Sequence, residues 1–532
     1  MNSLHSLGQK LLLAFHGKQS SPEIVKAIWE YRPAGLTLFR TLNVDTPAQV
    51  HQLTESLQRI ALESGIPPLL IAVDQEGGQL NTIGGNSTPL PGNMALGAAG
   101  SEDLALKAGI VAGRELAAMG VHVNYAPVCD VNINPLNPVI GIRSFGEKPE
   151  KVARLASALI TGMQAEGVAA AAKHFPGHGD TSGDSHHNLP SVPHSLTRLQ
   201  KVEFVPFRAA IEAGVKMVMS AHLALPAVDG PNPPPATLSS KILMGLLREQ
   251  LGFRGVIVSD AMDMKAIRQG TNLGEDCVRA ALAGIDLLLL TSNPDDQHLV
   301  HATLVAALQS GLLPPKATSS SIERILSLKH WVAEQTEPDM NVVGCGEHRA
   351  IANEIAERSI TLVRDESGLL PLHLQPDQRI AMILPQPVDL TPADTSSLVA
   401  PGLAASLRAH HPNVDEFLIP HNPTIKDISE ILQQAKKYPL IILGTINACS
   451  SSGQADLANE ILKQHIPTVI VAMRLPYDLT AFPEAPVYIC TYSILEPSMQ
   501  ALAKALFGKI KFQGRLPVSI LGSFDAGHGI VK

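Results

Sequence analysis

The sequence predicts an α/β chain in two parts. Residues 1–335 form a (β/α)8 barrel, 336–350 a linker, and 351–532 a smaller α/β sandwich. Three observations carry the prediction. Eight short runs rich in Val, Ile and Leu recur over roughly 300 residues, the count such a barrel needs. Longer amphipathic stretches separate them, several opening on Ser, Thr or Pro and closing on Gly, as helix termini do. The runs are continuous instead of alternating, which suits strands buried on both faces of a parallel sheet.

In order, the runs are LLLAF (11–15), GLTLF (35–39), LLIAVD (69–74), VHVNYAP (121–127), VAAAAKHF (168–175), KMVMSAH (216–222), GVIVSD (255–260) and GIDLLLL (284–290). Helical stretches between them include SPEIVKAIWEY, TPAQVHQLTESLQRIALESG, SEDLALKAGIVAGRELAAMG, KPEKVARLASALITGMQAEG and SLTRLQKVEFVPFRAAIEAG. An open doubly wound sheet is the competing architecture, but it seldom needs eight strands, and the third run leads to DQEGG instead of a GxGxxG fingerprint. GPNPPPA (230–236) is a stiff loop after the sixth run. The helix-like SSSIERILSLKHWVAEQ closes the barrel, and TEPDMNVVGCGEH reads as linker. Beyond it, NEIAERSITLVRDESGLLPL reads as a helix entering a strand, with further strands at RIAMIL (379–384), LIILGTI (440–446), TVIVAMRL (468–475) and VYICTY (487–492).

Composition narrows the function classes. Forty-nine acids against 41 bases give a formal charge of −8, which argues against a nucleic-acid binder with its concentrated basic face. Five scattered cysteines without a CxxC pair fit reduced thiols better than a disulfide framework. The N-terminal apolar run, Leu11 to Phe15, is too short for a signal h-region, and no segment approaches the roughly 20 apolar residues of a membrane span. The expectation is a soluble, cytoplasmic protein with no membrane partner.

Chemistry gathers where the runs stop. Asp74 ends the third, Asn124 lies late in the fourth, Lys173 and His174 end the fifth, His222 the sixth and Asp260 the seventh. In a barrel these ends converge on one face, where active sites lie. KHFPGHGDTSGDSHHNLP (173–190) is the densest stretch. Asp184 lies two residues from His186 and can accept its Nδ1 proton, fixing the tautomer and raising the basicity of Nε2. Gly177, Gly179 and Gly183 give that loop conformational freedom. Asp260 is the better nucleophile candidate, with Asp263 suited to capping the next helix. Lys173 and Arg143 supply donors without acceptors, although Arg143 could simply pair with Glu147 at the surface. A metal reading of His174, His178, Asp180, His186 and His187 is weak. Pro176, Gly177 and Gly179 disfavour the helix on which an HxxxH pair shares a face, and no glutamate follows the first histidine.

The motifs VDQEGG, NYAPVCDVN, VIGIRSFG, AAKHFPGHGDTSGDSHHNLP, MSAHLALPAVDG with PATLSS, and GFRGVIVSDAMDM together resemble glycoside hydrolase family 3. Within it, the match is to β-N-acetylglucosaminidases of the bacterial two-domain type. AERSITLVRDESGLLPL and LFGKIKFQGRLPVSI resemble the start and end of that family's second domain, so the resemblance covers nearly the whole chain. It implies Asp260 as the nucleophile, His186 as the acid/base and Asp184 as its partner. It also implies Asp74, Arg143, Lys173 and His174 as residues that bind the N-acetylhexosamine; His222 joins them by its place at a strand end. The implied reaction is retaining hydrolysis of terminal β-linked N-acetylglucosamine from a glycoside or muropeptide, with no metal and no organic cofactor. A histidine acid/base is neutral after protonating the leaving group and would not repel phosphate, so a glycoside phosphorylase is the alternative. A non-catalytic sugar-binding protein and a metal-dependent hydrolase stand further back. One departure is visible: the family commonly reads DQEGGRVxR, and here Gln79 and Thr82 stand at the arginine positions. With an acid/base from the first domain, the second is left to shape the cleft or brace the barrel.

Overall fold

The structure, a computed structural model of the chain, describes residues 6–183, 189–267 and 272–532. All eight apolar runs of the first half are strands: β1 (Leu11–Leu13), β2 (Gly35–Thr37), β3 (Leu70–Val73), β4 (Val123–Asn124), β5 (Ala169–Phe175), β6 (Met217–Ser220), β7 (Val256–Ser259) and β8 (Leu288–Leu290). They pair in parallel in the order β8-β1-β2-β3-β4-β5-β6-β7, and a bridge between Val258 and Leu287 brings the two edges together into a nearly closed barrel.

Alternation along the strands explains the continuous apolar runs. Leu12, Leu70, Ala72, Val123, Tyr125, Ala169, Ala171, Met217, Met219, Val256, Val258 and Leu289 pack into one interior cluster. Their neighbours, such as Leu11, Leu13, Ile71, Val73, Ala170 and Val218, belong to the larger core shared with the outer helices. Small Ala169 and Ala171 lie in the same cluster as the fully buried Tyr125, whose hydroxyl is 2.9 Å from that of Thr37. Ile325 and Leu328 of the helix Pro315–Ala333 join this cluster, with Trp331 packed against it. The helix expected over 195–214 is two, Leu196–Lys201 and Phe204–Glu212.

The second unit is a six-stranded sheet: β9 (Thr361–Asp365), β10 (Ile380–Pro385), β11 (Val414–Ile419), β12 (Leu440–Thr445), β13 (Thr468–Ala472) and β14 (Val487–Cys490). Its order is β9-β14-β13-β12-β10-β11, parallel except where β9 pairs antiparallel with β14. The helix Gly346–Ser359 starts inside the segment read as linker and is fastened to the barrel, with His348 Nδ1 2.8 Å from Glu115 Oε1. The chain's last segment returns to the barrel too. Ser519 donates from both its amide and its hydroxyl to Glu147, each at 2.7 Å. Among the described residues no helix is long and apolar enough to cross a membrane.

Candidate active site

The interior alternation continues past the strand ends and decides what enters the barrel mouth. Leu70 and Ala72 lead to Asp74, Ala169 and Ala171 to Lys173, Val256 and Val258 to Asp260, and Leu287 and Leu289 to Thr291. Asp74, Lys173, Asp260 and Thr291 all line one cavity of about 330 Å3, together with Arg143, His174, His178 and Met219. Arg40, Leu80, Thr82, Asp263 and residues 392–395 of the second unit are also in its lining.

Two of its cations, Lys173 and Arg143, are held by carboxylates, while a third, Arg40, donates to the Asn81 carbonyl at 3.3 Å. Lys173 Nζ lies 2.5 Å from Asp74 Oδ1 and 2.6 Å from Glu76 Oε1. Arg143 grips Glu76 with two parallel bonds, Nε to Oε2 at 2.9 Å and Nη2 to Oε1 at 2.7 Å. Such forks fix orientation as well as charge. Burial alone would raise the Glu76 carboxyl, but the Arg143 and Lys173 cations overcome it and hold it at about 2. Burial remains the larger influence on Asp74 and pushes its carboxyl up against the pull of Lys173. Lys173 stays charged, because its two carboxylates outweigh a burial that would lower it.

The Lys173–His174 peptide is cis. Asp130 organises the next pair of residues. It accepts the backbone N–H of His178 at 2.6 Å, and one of its oxygens lies 2.7 Å from His174 Nδ1. Arg143 Nη2 is 3.3 Å from His174 Nε2. A guanidinium only donates, so Nε2 is the acceptor and Nδ1 carries the hydrogen toward Asp130. Burial, then the charges of Arg143 and Lys173, hold the ring well below the usual imidazole range and so neutral. Gly179 makes this tight wall possible, since a Cβ there would stand 1.9 Å from the Val131 carbonyl oxygen. Gly177 adopts a φ of +125° that favours glycine.

Asp260 lines the same cavity, its amide bonded to the Ser220 carbonyl at 3.1 Å and its Oδ1 accepting the Ala261 amide at 2.8 Å. His222 is fully buried and does not line the cavity. Its ring lies 2.8 Å from the Thr237 hydroxyl and 3.0 Å from the Ala261 carbonyl, which puts it behind Asp260. The assignment of His222 to sugar contact is therefore corrected: residue 222 falls in the outward series Val218, Ser220, His222. Asn124 is outward by the same parity and bonds the Gln75 backbone instead. His174 breaks the parity because the β5–β6 register shifts between Ala172 and Phe175.

Arg143 does not pair with Glu147, which is taken by Ser519. Asp263 does not cap the next helix, whose N-cap is Asn272. His178 lines the cavity, and Asp180 is bonded to His194 at 2.7 Å. Asp184, His186 and His187 lie outside the described residues. Among the described residues, no three His, Cys, Asp or Glu side chains are grouped to hold a metal ion. Sequence reasoning missed Glu76 and Asp130. A carboxylate two residues beyond Asp74, and another within NYAPVCDVN, were signals that pointed to no partner until long-range contacts were known.

A cavity of about 330 Å3 at the barrel mouth, lined by fixed cations and by the Asp260 carboxylate, is the site of a barrel enzyme that binds a small polar ligand. The glycosyl hydrolase family 3 N-terminal domain matches residues 5–328. The chain is 32% identical to beta-hexosaminidase A of Pseudoalteromonas piscicida, over 97% of this chain and 96% of that one. It therefore belongs to glycosyl hydrolase family 3. The family 3 beta-N-acetylglucosaminidase of Paenibacillus sp. str. FPU-7 superposes with a TM-score of 0.92 at 38% identity, covering 98% of this chain and 99% of that one. The beta-glucoside phosphorylase BglX superposes with a TM-score of 0.82 at 25% identity, covering 98% and 95%.

Proposed function

We propose that the protein releases terminal, non-reducing β-linked N-acetylglucosamine by double displacement with retention. In the first step an Asp260 carboxylate oxygen bonds to the anomeric carbon, the glycosidic bond breaks, and His186, partnered by Asp184, gives its proton to the departing oxygen. In the second, water attacks the same carbon from the opposite face. Its proton passes to His186, and the bond to Asp260 breaks. Asp74, Arg143, Lys173 and His174 bind the sugar. Two relatives that cover nearly the whole chain, the beta-hexosaminidase and the beta-N-acetylglucosaminidase, support this sugar class. The observation that carries the reading is the cavity itself, where Lys173, Arg143 and His174, already locked by Asp74, Glu76 and Asp130, share one cavity with Asp260. Of these, Lys173 and Arg143 are donors held in place before the substrate arrives, which costs no reorganisation during reaction. The resemblance extends the proposal to N-acetylglucosamine-bearing muropeptide fragments in cytoplasmic cell-wall recycling.

The test is hydrolysis of an aryl β-N-acetylglucosaminide by wild type beside Asp260→Ala. The variant is expected to lose at least about 10³-fold in kcat, and equal rates would remove Asp260 from the role. A second reading, transfer of the glycosyl group to phosphate, is favoured by the likeness to a phosphorylase. It requires N-acetylglucosamine 1-phosphate to form, and breakdown of the intermediate to depend on phosphate.

A further inference from the structure

The second unit enters the cavity through Pro392, Ala393, Asp394 and Thr395. These residues sit against the short hairpin Gln75–Gly77 and Leu80–Asn81 that follows β3 and carries Glu76. The contact is dense and specific. Gln79 donates from Nε2 to the Ala393 carbonyl at 2.9 Å, and its own carbonyl accepts both the amide (2.8 Å) and the hydroxyl (2.9 Å) of Thr395. The Asn81 amide donates to the Thr395 hydroxyl at 3.1 Å. Behind this seam Arg474 donates to Gln79 Oε1, and its Nη1 meets Asp394 Oδ2 at 2.6 Å.

Asp394 is not a spare acid for the chemistry. Its side chain has no exposed surface. One oxygen is taken by Arg474 and the Leu390 amide and the other by the Ser396 amide, so it fastens its own loop. Gln79 suits the seam because it is neutral and offers Arg474 an oxygen. An arginine at 79 would set two guanidinium groups together in a buried place. Thr82, at the other departed position, turns its hydroxyl onto the Asp74 carbonyl at 2.8 Å, so neither departed position supplies a cation, and the cation beside the hairpin is Arg40, which donates to the Asn81 carbonyl at 3.3 Å.

We infer that segment 392–395 is the specificity-setting wall of the sugar cavity, and that Arg474 is the residue that positions it, through Gln79 and Asp394. The inference rests on the reading of the cavity as the sugar site. The wall is built from Pro392, Ala393 and Thr395, a mostly apolar, uncharged surface, so the group that packs on it is an uncharged substituent of the sugar. Arg474 does not line the cavity and acts only by fastening the segment that does.

The experiment compares wild type, Arg474→Leu, Arg474→Lys, Thr395→Val and the exchanged pair Gln79→Arg/Arg474→Gln. Turnover of an aryl β-N-acetylglucosaminide is measured beside amide hydrogen exchange over 389–399. Arg474→Leu is expected to raise KM about tenfold while kcat stays within about threefold, with faster exchange of the segment. Arg474→Lys and the exchanged pair are expected to recover part of the KM. If Arg474→Leu does not fold, Thr395→Val, at a half-buried residue, carries the test with a change in the same direction. An unchanged KM in Arg474→Leu, with or without faster exchange, would reduce the segment to a brace and overturn the inference. A wild type inactive on every aryl β-glycoside would instead sink the catalytic reading. The wall would then stand or fall on whether Arg474→Leu weakens N-acetylglucosamine binding by the same factor.

Discussion

Replacing Glu76 with Gln would leave Arg143 and Lys173 buried with only Asp74 as a full carboxylate beside Lys173 and none gripping Arg143. Breaking a buried ion network from one side costs about 3–5 kcal/mol, so Glu76→Gln should unfold at clearly lower urea and bind sugar more weakly. A loss under about 1 kcal/mol would mean the network is far better hydrated than its burial implies. Asp130 works through His174. Asp130→Asn can present an amide N–H to Nδ1 and turn the ring to the other tautomer, setting an N–H against the Arg143 guanidinium. The expected outcome is a fall of roughly 10²-fold in kcat/KM. Such a drop would accompany intact near-ultraviolet dichroism, because the fold does not depend on that proton.

At the scale of elements, the eight barrel strands were legible because both faces of each are buried, so the apolar signal is doubled. The strand β11 was missed for the opposite reason. It is an edge strand, and its VDEFLI carries partly exposed Asp415 and Glu416 between a few apolar positions, so no continuous run marks it. The site divides in the same way. Asp74, Lys173 and Asp260 are legible from inward alternation alone, a parity that also excludes His222 and Asn124. His174 escapes it through a register shift that only the folded sheet shows. Glu76 and Asp130 were illegible because their partners lie 67 and 44 residues away. The loop after β5 gives an element-scale prediction. Gly179→Ala must push the added methyl group and the Val131 carbonyl apart, costing about 1–3 kcal/mol in denaturant unfolding and displacing the wall that carries His178. Among the described residues, Gly183→Ala meets only Pro190, at ordinary contact distance, and should cost less.

Across the whole molecule, the second unit both braces the barrel and reaches its cavity, through Glu115–His348, Glu147–Ser519 and the Gln79–Arg474–Asp394 seam. The floor of the barrel carries a pH-dependent cost. Lys329 is buried near His122, and its Nζ lies 3.5 Å from the Pro67 carbonyl. Burial lowers its ammonium to about 7. Below pH 7 the ammonium is charged in folded and unfolded chains alike, and the folded state bears the full penalty. As pH rises from about 7 toward the unfolded value near 10.5, the folded state sheds the proton first and the penalty disappears. Lys329→Met should therefore raise the unfolding temperature at pH 6, with the gain shrinking toward pH 10. A gain that is flat across this range would contradict the assignment.

The central claim is that Asp260 forms a covalent bond to the sugar, and azide rescue of Asp260→Gly tests it most directly. With a carboxylate missing and space left on that face, azide should restore turnover of an aryl β-N-acetylglucosaminide and yield the α-glycosyl azide, the configuration produced by attack where Asp260 stood. A β-configured azide, or no rescue from a folded variant whose wild type is active, would contradict it.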